Sequence, residues 1–220
     1  MTITTYSSLK SATAEWLARN GDTDIDTRFD DLLALQEQRM YYGSAEVPGL
    51  IPEMPKLRIR EMEQADTSFS LSGATVAQPT GFLELISAEL NTSQGPLDIV
   101  TEAMFDAYGA RTLGGVKLIA VSGTNFRFKD TPASDTATLR YFKKLTTPSG
   151  STSTNTILTN FPGVYLYGCL MQAAIYTGDP EAAKMYGSLY ASEVTALNQR
   201  RNSELANAHN VRLRIRGSTP

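Results

Sequence analysis

The chain has 220 residues, 41% hydrophobic and 20% charged, with a formal net charge of −3, which suits one large or two small soluble domains and excludes a globally basic nucleic-acid binder. It holds one cysteine, Cys169, and one histidine, His209, so an intrachain disulfide and a Cys/His zinc site are both excluded. A Ser–His–Asp triad would have to use His209, leaving carboxylate, lysine or tyrosine chemistry as the catalytic options.

Helical spacing opens the chain. Tyr6, Leu9, Thr13, Trp16 and Leu17 fall three or four apart and predict a helix over 5–19, capped by Thr4 or Thr5 and stopped by Asn20-Gly21. A second helix is predicted from Asp24 to Tyr42, with Ile25, Phe29, Leu32, Leu33, Gln36 and Met40 as its apolar stripe and Gly43 as its stop. Asp22, Asp24 and Asp26 gather at its N-terminus, where the helix dipole favours negative charge. Two helices joined this closely pack antiparallel.

From Val47 the texture changes. Pro48, Pro52 and Pro55 break helical continuity. Leu57 to Met62 alternates with period two, as does Phe69-Ser70-Leu71, and Phe82 to Leu90 reads as a longer, more buried strand. Residues 98–108 predict a short helix with Ile99, Met104 and Tyr108 as a weak stripe. Strands follow at Val116–Val121, Asn125–Lys129 and Thr136–Leu145, the first two joined by the hairpin signal Ser122-Gly123-Thr124. Short strands at this spacing point to a small antiparallel sandwich or barrel.

Residues 146–155 are polar and read as a loop or linker. Asn160 is the expected cap of a helix that starts at Pro162 and stops at Gly178, with Val164, Tyr165, Gly168, Cys169, Gln172 and Ala173 along it. Asp179-Pro180-Glu181 opens a last helix that runs to about Leu205, facing inward with Ala183, Tyr186, Gly187, Tyr190, Val194 and Leu197. Gly168, Ala173, Ala174, Ala182, Ala183 and Gly187 are small and allow these two helices a close approach as a hairpin. The most apolar stretch, Val164–Tyr176, carries Gln172 and falls short of the roughly 20 residues a membrane span needs. The opening residues lack a basic patch followed by an apolar run, so the expected site of synthesis is the cytoplasm.

The fold class expected is therefore α+β. An antiparallel helical bundle comes from both chain ends (1–46 and 154–206). A β-rich, sandwich or barrel-like insertion spans 47–153, and an extended C-terminal arm spans 207–220.

That arm is the most unusual local feature. Val211, Leu213 and Ile215 alternate with Arg212, Arg214 and Arg216, a strand pattern with one apolar and one cationic face. It is read as a strand returning to the β-region or a frayed terminus, as a strand that adds to a sheet edge on another chain, or as a phosphate contact. The third reading lacks interleaved aromatic residues for base stacking. Charge is uneven along the chain. Residues 1–50 hold four basic and eight acidic residues, and residues 151–220 hold six basic and four acidic. An acidic head and a basic tail suit head-to-tail contact between copies or with a partner ring, although such asymmetry also arises on any solvated face.

Catalytic motifs are absent. No G-x-G-x-x-G, Walker A, G-x-S-x-G or EF-hand pattern occurs, and no cofactor is implied. The acid pairs Asp30/Asp31 and Glu61/Glu63 are the only hint of carboxylate catalysis, and surface solvation accounts for both.

Three segments resemble the head-to-tail adaptor (connector, or head-completion) proteins of tailed bacteriophages, of the short-tailed type. One is Thr4-Thr5-Tyr6-Ser7-Ser8-Leu9 to Trp16-Leu17 with Ile25-Asp26-Thr27-Arg28-Phe29-Asp30-Asp31-Leu32. Another is Thr138-Leu139-Arg140-Tyr141-Phe142-Lys143-Lys144-Leu145. The most specific is Leu158-Thr159-Asn160-Phe161-Pro162-Gly163-Val164-Tyr165-Leu166-Tyr167-Gly168-Cys169-Leu170, continued by Ala173-Ala174 and Gly178-Asp179. Gln172 stands where the family often has an acid, and 90–115 matches none of its patterns.

The resemblance implies a structural virion protein of the neck, not an enzyme. It implies a homo-oligomeric ring, of about twelve copies, beneath the portal protein and joined to tail nozzle or tail-fibre proteins. DNA would pass through without specific binding, and no membrane is involved. It also implies a C-terminal arm, Val211 to Arg216, that docks on the portal. An acidic lumen would keep DNA passage slippery, and Asp22, Asp24, Asp26, Asp30 and Asp31 are the candidates for it. The alternatives are another tail or head-completion component that does not bind the portal, and a carboxylate-based cell-wall hydrolase.

Overall fold

A computed structural model describes residues 2–19, 23–92, 95–108, 117–131 and 135–209. In chain order the elements are α1 (Tyr6–Trp16), α2 (Thr23–Tyr42), β1 (Glu63–Ser70), β2 (Thr75–Ala77), β3 (Phe82–Leu90), β4 (Gly95–Pro96), β5 (Asp98–Val100), α3 (Glu102–Ala107), β6 (Leu118–Ser122), β7 (Asn125–Lys129), β8 (Thr136–Lys143), α4 (Thr156–Asn160), α5 (Pro162–Thr177) and α6 (Pro180–His209). The described residues thus make a mixed α+β chain. They divide into a helical unit, residues 1–61 with 145–220, and a β-rich unit, residues 62–144.

In the helical unit α1 is opened by a reciprocal cap. Thr5 Oγ1 accepts from the Ser8 amide at 3.2 Å, and Ser8 Oγ accepts from the Thr5 amide at 2.9 Å. All six residues of the stripe expected on α2 are buried. On α1, Leu9 and Thr13 are buried, but Trp16 is 52% exposed. The helix closes there: Leu17 is the C-cap and Ala18 takes a φ of 53°. The Trp16 ring meets Tyr167 edge-on at 6.1 Å instead of entering the core.

Helix α5 is apolar all round and is buried almost continuously from Val164 to Ala174, as befits a central helix. It packs against α1, α2, α4 and α6. The expected cap at Asn160 is corrected. Asn160 ends α4, whose own cap is Asn155 (Oδ1 accepts from the Leu158 amide at 2.9 Å), and Pro162 starts α5 without a side-chain cap. Gly178, with a φ of 75°, closes α5. Segment 146–155 is no free linker. Ser153 O accepts from the Tyr6 amide at 2.6 Å, and Asn155 Nδ2 donates to Thr146 O at 3.0 Å.

The strand expected over Leu57–Met62 is also corrected. Leu57 and Ile59 do alternate inward, but among the described residues no strand pairs with them. The Leu57 amide donates to Met40 O at 2.8 Å, the Arg58 amide to Asn198 Oδ1 at 2.8 Å, and a 3₁₀ turn follows at Arg60–Met62. Extended backbone satisfied by helices has the same period-two signature as a strand.

The β-rich unit has two four-stranded sheets, in the orders β1-β8-β3-β4 and β2-β7-β6-β5. Both contribute to one apolar cluster, which includes Phe69, Leu90, Phe126, Phe128, Leu139 and Tyr141. Among the described residues neither sheet closes, so the barrel-like form is not found there. The hairpin at Ser122-Gly123-Thr124 forms with Ser122 opposite Asn125 and Gly123 at a φ of 56°. The single helix expected over 98–108 is instead a strand and a helix. Asp98–Val100 pairs parallel with β6, and Thr101 then caps α3. The weak stripe explains the difference. Ile99 and Met104 are exposed, and the residue that α3 buries is Phe105, against Leu118 and Ala120.

Among the described residues, no helix is long and apolar enough to cross a membrane.

Candidate functional site

The acids expected to line a channel belong to α2, with Asp22 outside the described residues. At 100° per residue, Asp24 and Asp31 share one line of the helix and Asp26 and Asp30 another, more than a quarter turn away. All four are exposed. The second pair is tied to α1. Asp26 lies 3.5 Å from Lys10 Nζ, and Asp30 accepts from the Tyr6 hydroxyl. Burial and the Asp30 carboxylate push the Tyr6 phenol up to about 12, so it stays a donor at neutral pH. Thus the acids fall on two lines of α2, and the line of Asp26 and Asp30 is tied to α1.

Between α2, α5 and the 146–155 segment lies a polar knot that the sequence did not reveal. Glu37 is buried at 8% exposure. Its Oε1 accepts from Tyr165 OH at 2.8 Å, and its Oε2 accepts from Thr147 Oγ1. Tyr165 OH in turn accepts from Asn155 Nδ2 at 2.8 Å. Tyr41 OH accepts from the Leu145 amide at 3.2 Å. Burial first, then the neighbouring charge, holds both tyrosines far above the ordinary phenol range. Burial does the same to the Cys169 thiol, which is wholly enclosed in the helical unit. The knot ties α2, α5 and the 146–155 segment together, with Glu37 and Tyr165 buried at its centre and Thr147 at its exposed edge. Glu37 could have been suspected only from its place beside Gln36 on the inward side of the stripe.

An open groove of about 720 Å³ lies on the helical unit, lined by residues that include Tyr42, Glu53, Lys56, Arg58, Asn198 and Arg201. Asn198 organises it. Its Oδ1 takes the Arg58 amide, and its Nδ2 donates to Lys56 O at 2.9 Å, so one side chain pairs with extended backbone as a strand would. Arg58 Nη1 is spent on the Tyr41 and Leu57 carbonyls at 3.0 and 2.8 Å. The groove is a joint between α6 and the 56–58 segment.

The cationic strip Val211, Arg212, Leu213, Arg214, Ile215 and Arg216 lies outside the described residues, which end at His209 on α6. Asp30 and Asp31 project a quarter turn or more apart on α2, and Glu61 sits in the 3₁₀ turn rather than on a strand.

Comparison with known proteins adds to this geometry. No curated protein matches the chain. The family model described as SU10 adaptor protein matches residues 4–214, nearly the whole length and both units. The chain belongs to the SU10 adaptor protein family, a family of structural bacteriophage proteins.

Proposed function

We propose that this chain assembles as the ring that joins the portal to the tail nozzle or tail fibres in the virion neck, with DNA passing through its centre. The observation that carries this reading is membership of an adaptor family across residues 4–214. The helical unit, drawn from both chain ends, serves as the bundle that forms the ring wall, in about twelve copies closed by a heterologous contact. The acidic N-terminal half of α2, with Asp22, Asp24, Asp26, Asp30 and Asp31, supplies the residues that face DNA and repel its phosphates. The strip from Val211 to Arg216 is the arm that docks on the portal. Its apolar residues fill pockets along a sheet edge, and its arginines meet acidic side chains.

The test uses isolated portals. The full chain co-sediments with them as a ring, and a chain ending at Ala208 stays soluble and helical by circular dichroism but does not co-sediment. Undiminished docking of the truncated chain overturns the arm. Binding to tails with none to portals overturns the adaptor reading in favour of another tail component.

A further inference from the structure

Strand β7 sends Phe126 and Phe128 into the core of the β-rich unit. Period two puts the residues between and after them, Arg127 and Lys129, on the other face of the sheet. In register they stand beside Ala120 and Leu118 of β6. Helix α3 packs on that same face. Its one buried residue, Phe105, forms with Leu118 and Ala120 a small cluster separate from the main core. The Arg127 guanidinium sits over the Phe105 ring, 4.6 Å from its centroid, and reaches both acids of α3, Glu102 at 3.5 Å and Asp106 at 2.8 Å. Those acids stand one turn apart, so one arginine grips most of the helix. Lys129 Nζ donates to Tyr108 O at 3.2 Å, at the end where the helix dipole favours a cation, and Ser122 Oγ donates to Glu102.

This attachment is light. A helix of six residues is too short to hold itself in water. The side chains of Glu102 and Asp106 are 50% and 58% exposed, and ion pairs this open are weak and weaken further with salt. The two sheets beneath are joined by Phe69, Phe126, Phe128 and Tyr141, a core that α3 does not enter. We propose that α3 is a latched flap, which opens from the β-rich unit about Thr101 while both sheets stay closed, with Arg127 as the catch. The ring reading is not needed for it. Thr101 is the pivot because it stands between the two elements. Before it, Val100 is paired with Ala120 in the sheet; after it, Thr101 O and Oγ1 accept from the Phe105 and Met104 amides at 2.9 and 3.3 Å. Opening withdraws Phe105 and bares Leu118 and Ala120, an apolar strip that the closed flap keeps from solvent and from other chains. Ionic strength sets the balance, because the catch is electrostatic and the core is not.

The experiment is residue-resolved amide hydrogen exchange of the full chain by NMR. A detached helix of this length melts, so the amides of Phe105 and Tyr108, which donate to Thr101 O and Met104 O, report the opening. The amides of Phe128 and Leu97, which donate to Ala74 O and Ala88 O, report the sheets. Raising salt from about 0.05 M to about 1 M speeds exchange at Phe105 and Tyr108 about fivefold and leaves Phe128 and Leu97 unchanged. Arg127→Met, which keeps an apolar stem over Phe105, gives the same acceleration at low salt and removes the response to salt. Glu102→Gln with Asp106→Asn reproduces it from the helix side, with β7 untouched. Exchange at Phe105 and Tyr108 no faster than at Phe128 and Leu97 means that α3 opens only with the sheets and overturns the flap. Faster exchange that neither salt nor either variant alters overturns Arg127 as the catch.

Discussion

The carboxamide of Gln36 lies directly over Gly168. A Cβ at that glycine would stand 1.9 Å from Gln36 Cδ, far inside contact distance. From this position Gln36 Nε2 donates to Val164 O at 3.1 Å, one turn earlier on α5. The glycine therefore serves α2 rather than the α5–α6 hairpin. Gly168→Ala must expel Gln36 or separate the helices, and overpacking of this kind costs about 1–3 kcal/mol. Denaturant unfolding measures it. Gln36→Ala in the Gly168→Ala background recovers part of the loss, because it removes the group that clashes; strictly additive losses would refute the contact.

Glu37 and Tyr165 form the centre of the buried knot, and each depends on the other. Tyr165→Phe takes a donor from a buried carboxylate and costs about 1.5–3 kcal/mol. Glu37→Ala removes that acceptor from the Tyr165 hydroxyl at a cost of about 1–3 kcal/mol. The double variant costs clearly less than the two losses together, as a double-mutant cycle by chemical denaturation would measure. A coupling near zero would mean that the 2.8 Å contact contributes nothing.

How far the sequence foretold this arrangement depends on where each signal arises. The stripe of α2 was legible because burial on one side of a helix is a local periodic pattern. So were Gly43 and Gly178, whose positive φ values, 73° and 75°, need residues without a Cβ cost. The Leu57–Met62 alternation misled because period two reports extended backbone, and whether its partner is a strand or Asn198 of α6 is a non-local matter. Asn155 and Asn160 both suit a cap, and only the position of Leu158 over Asn155 decides between them. The Glu37 knot joins residues over a hundred positions apart, for which one sequence carries no periodic trace. Among the site residues, the acids of α2 were visible as a charge cluster. Their division into two lines required the helix to be placed, with α1 beside Asp26 and Asp30.

The raised pKa values of the tyrosines predict that alkaline pH weakens this fold. In the folded state Tyr6 is pushed up to about 12, above the ordinary phenol value of about 10. Tyr41, Tyr165 and Tyr190 are raised further, each chiefly by burial. A folded pKa above the unfolded one means that the native state holds the proton more tightly. The associated stability is fully present below pH 10 and is lost as pH rises, for Tyr6 across the window from 10 to about 12. Denaturation followed at a series of pH values shows stability falling in that window, and Tyr6→Phe makes the fall shallower. An unchanged slope in Tyr6→Phe would show that the hydrogen bond to Asp30 does not persist in solution.

The two glycines that close long helices answer differently to alanine. Both have positive φ, so both substitutions carry a backbone cost of about 1 kcal/mol. Around Gly178 nothing lies within 4 Å of an added Cβ, so Gly178→Ala costs little beyond that. At Gly43 the added Cβ would stand 2.9 Å from Met54 O, a backbone atom with nowhere to move. That carbonyl already accepts from the Ser44 amide at 3.0 Å, and the Met54 amide returns a bond to Ser44 O at 2.9 Å. Gly43→Ala must therefore break the bridge that turns the chain out of α2 and back along the helical unit. It lowers the unfolding midpoint well beyond Gly178→Ala when the two are compared in one denaturant series. Gly178→Asn, which tolerates the left-handed region, stays near the parent, whereas Gly43→Asn does not, because its Cβ meets the same carbonyl. Equal losses at the two sites would mean that the cost is conformational only and that the Ser44–Met54 bridge yields freely.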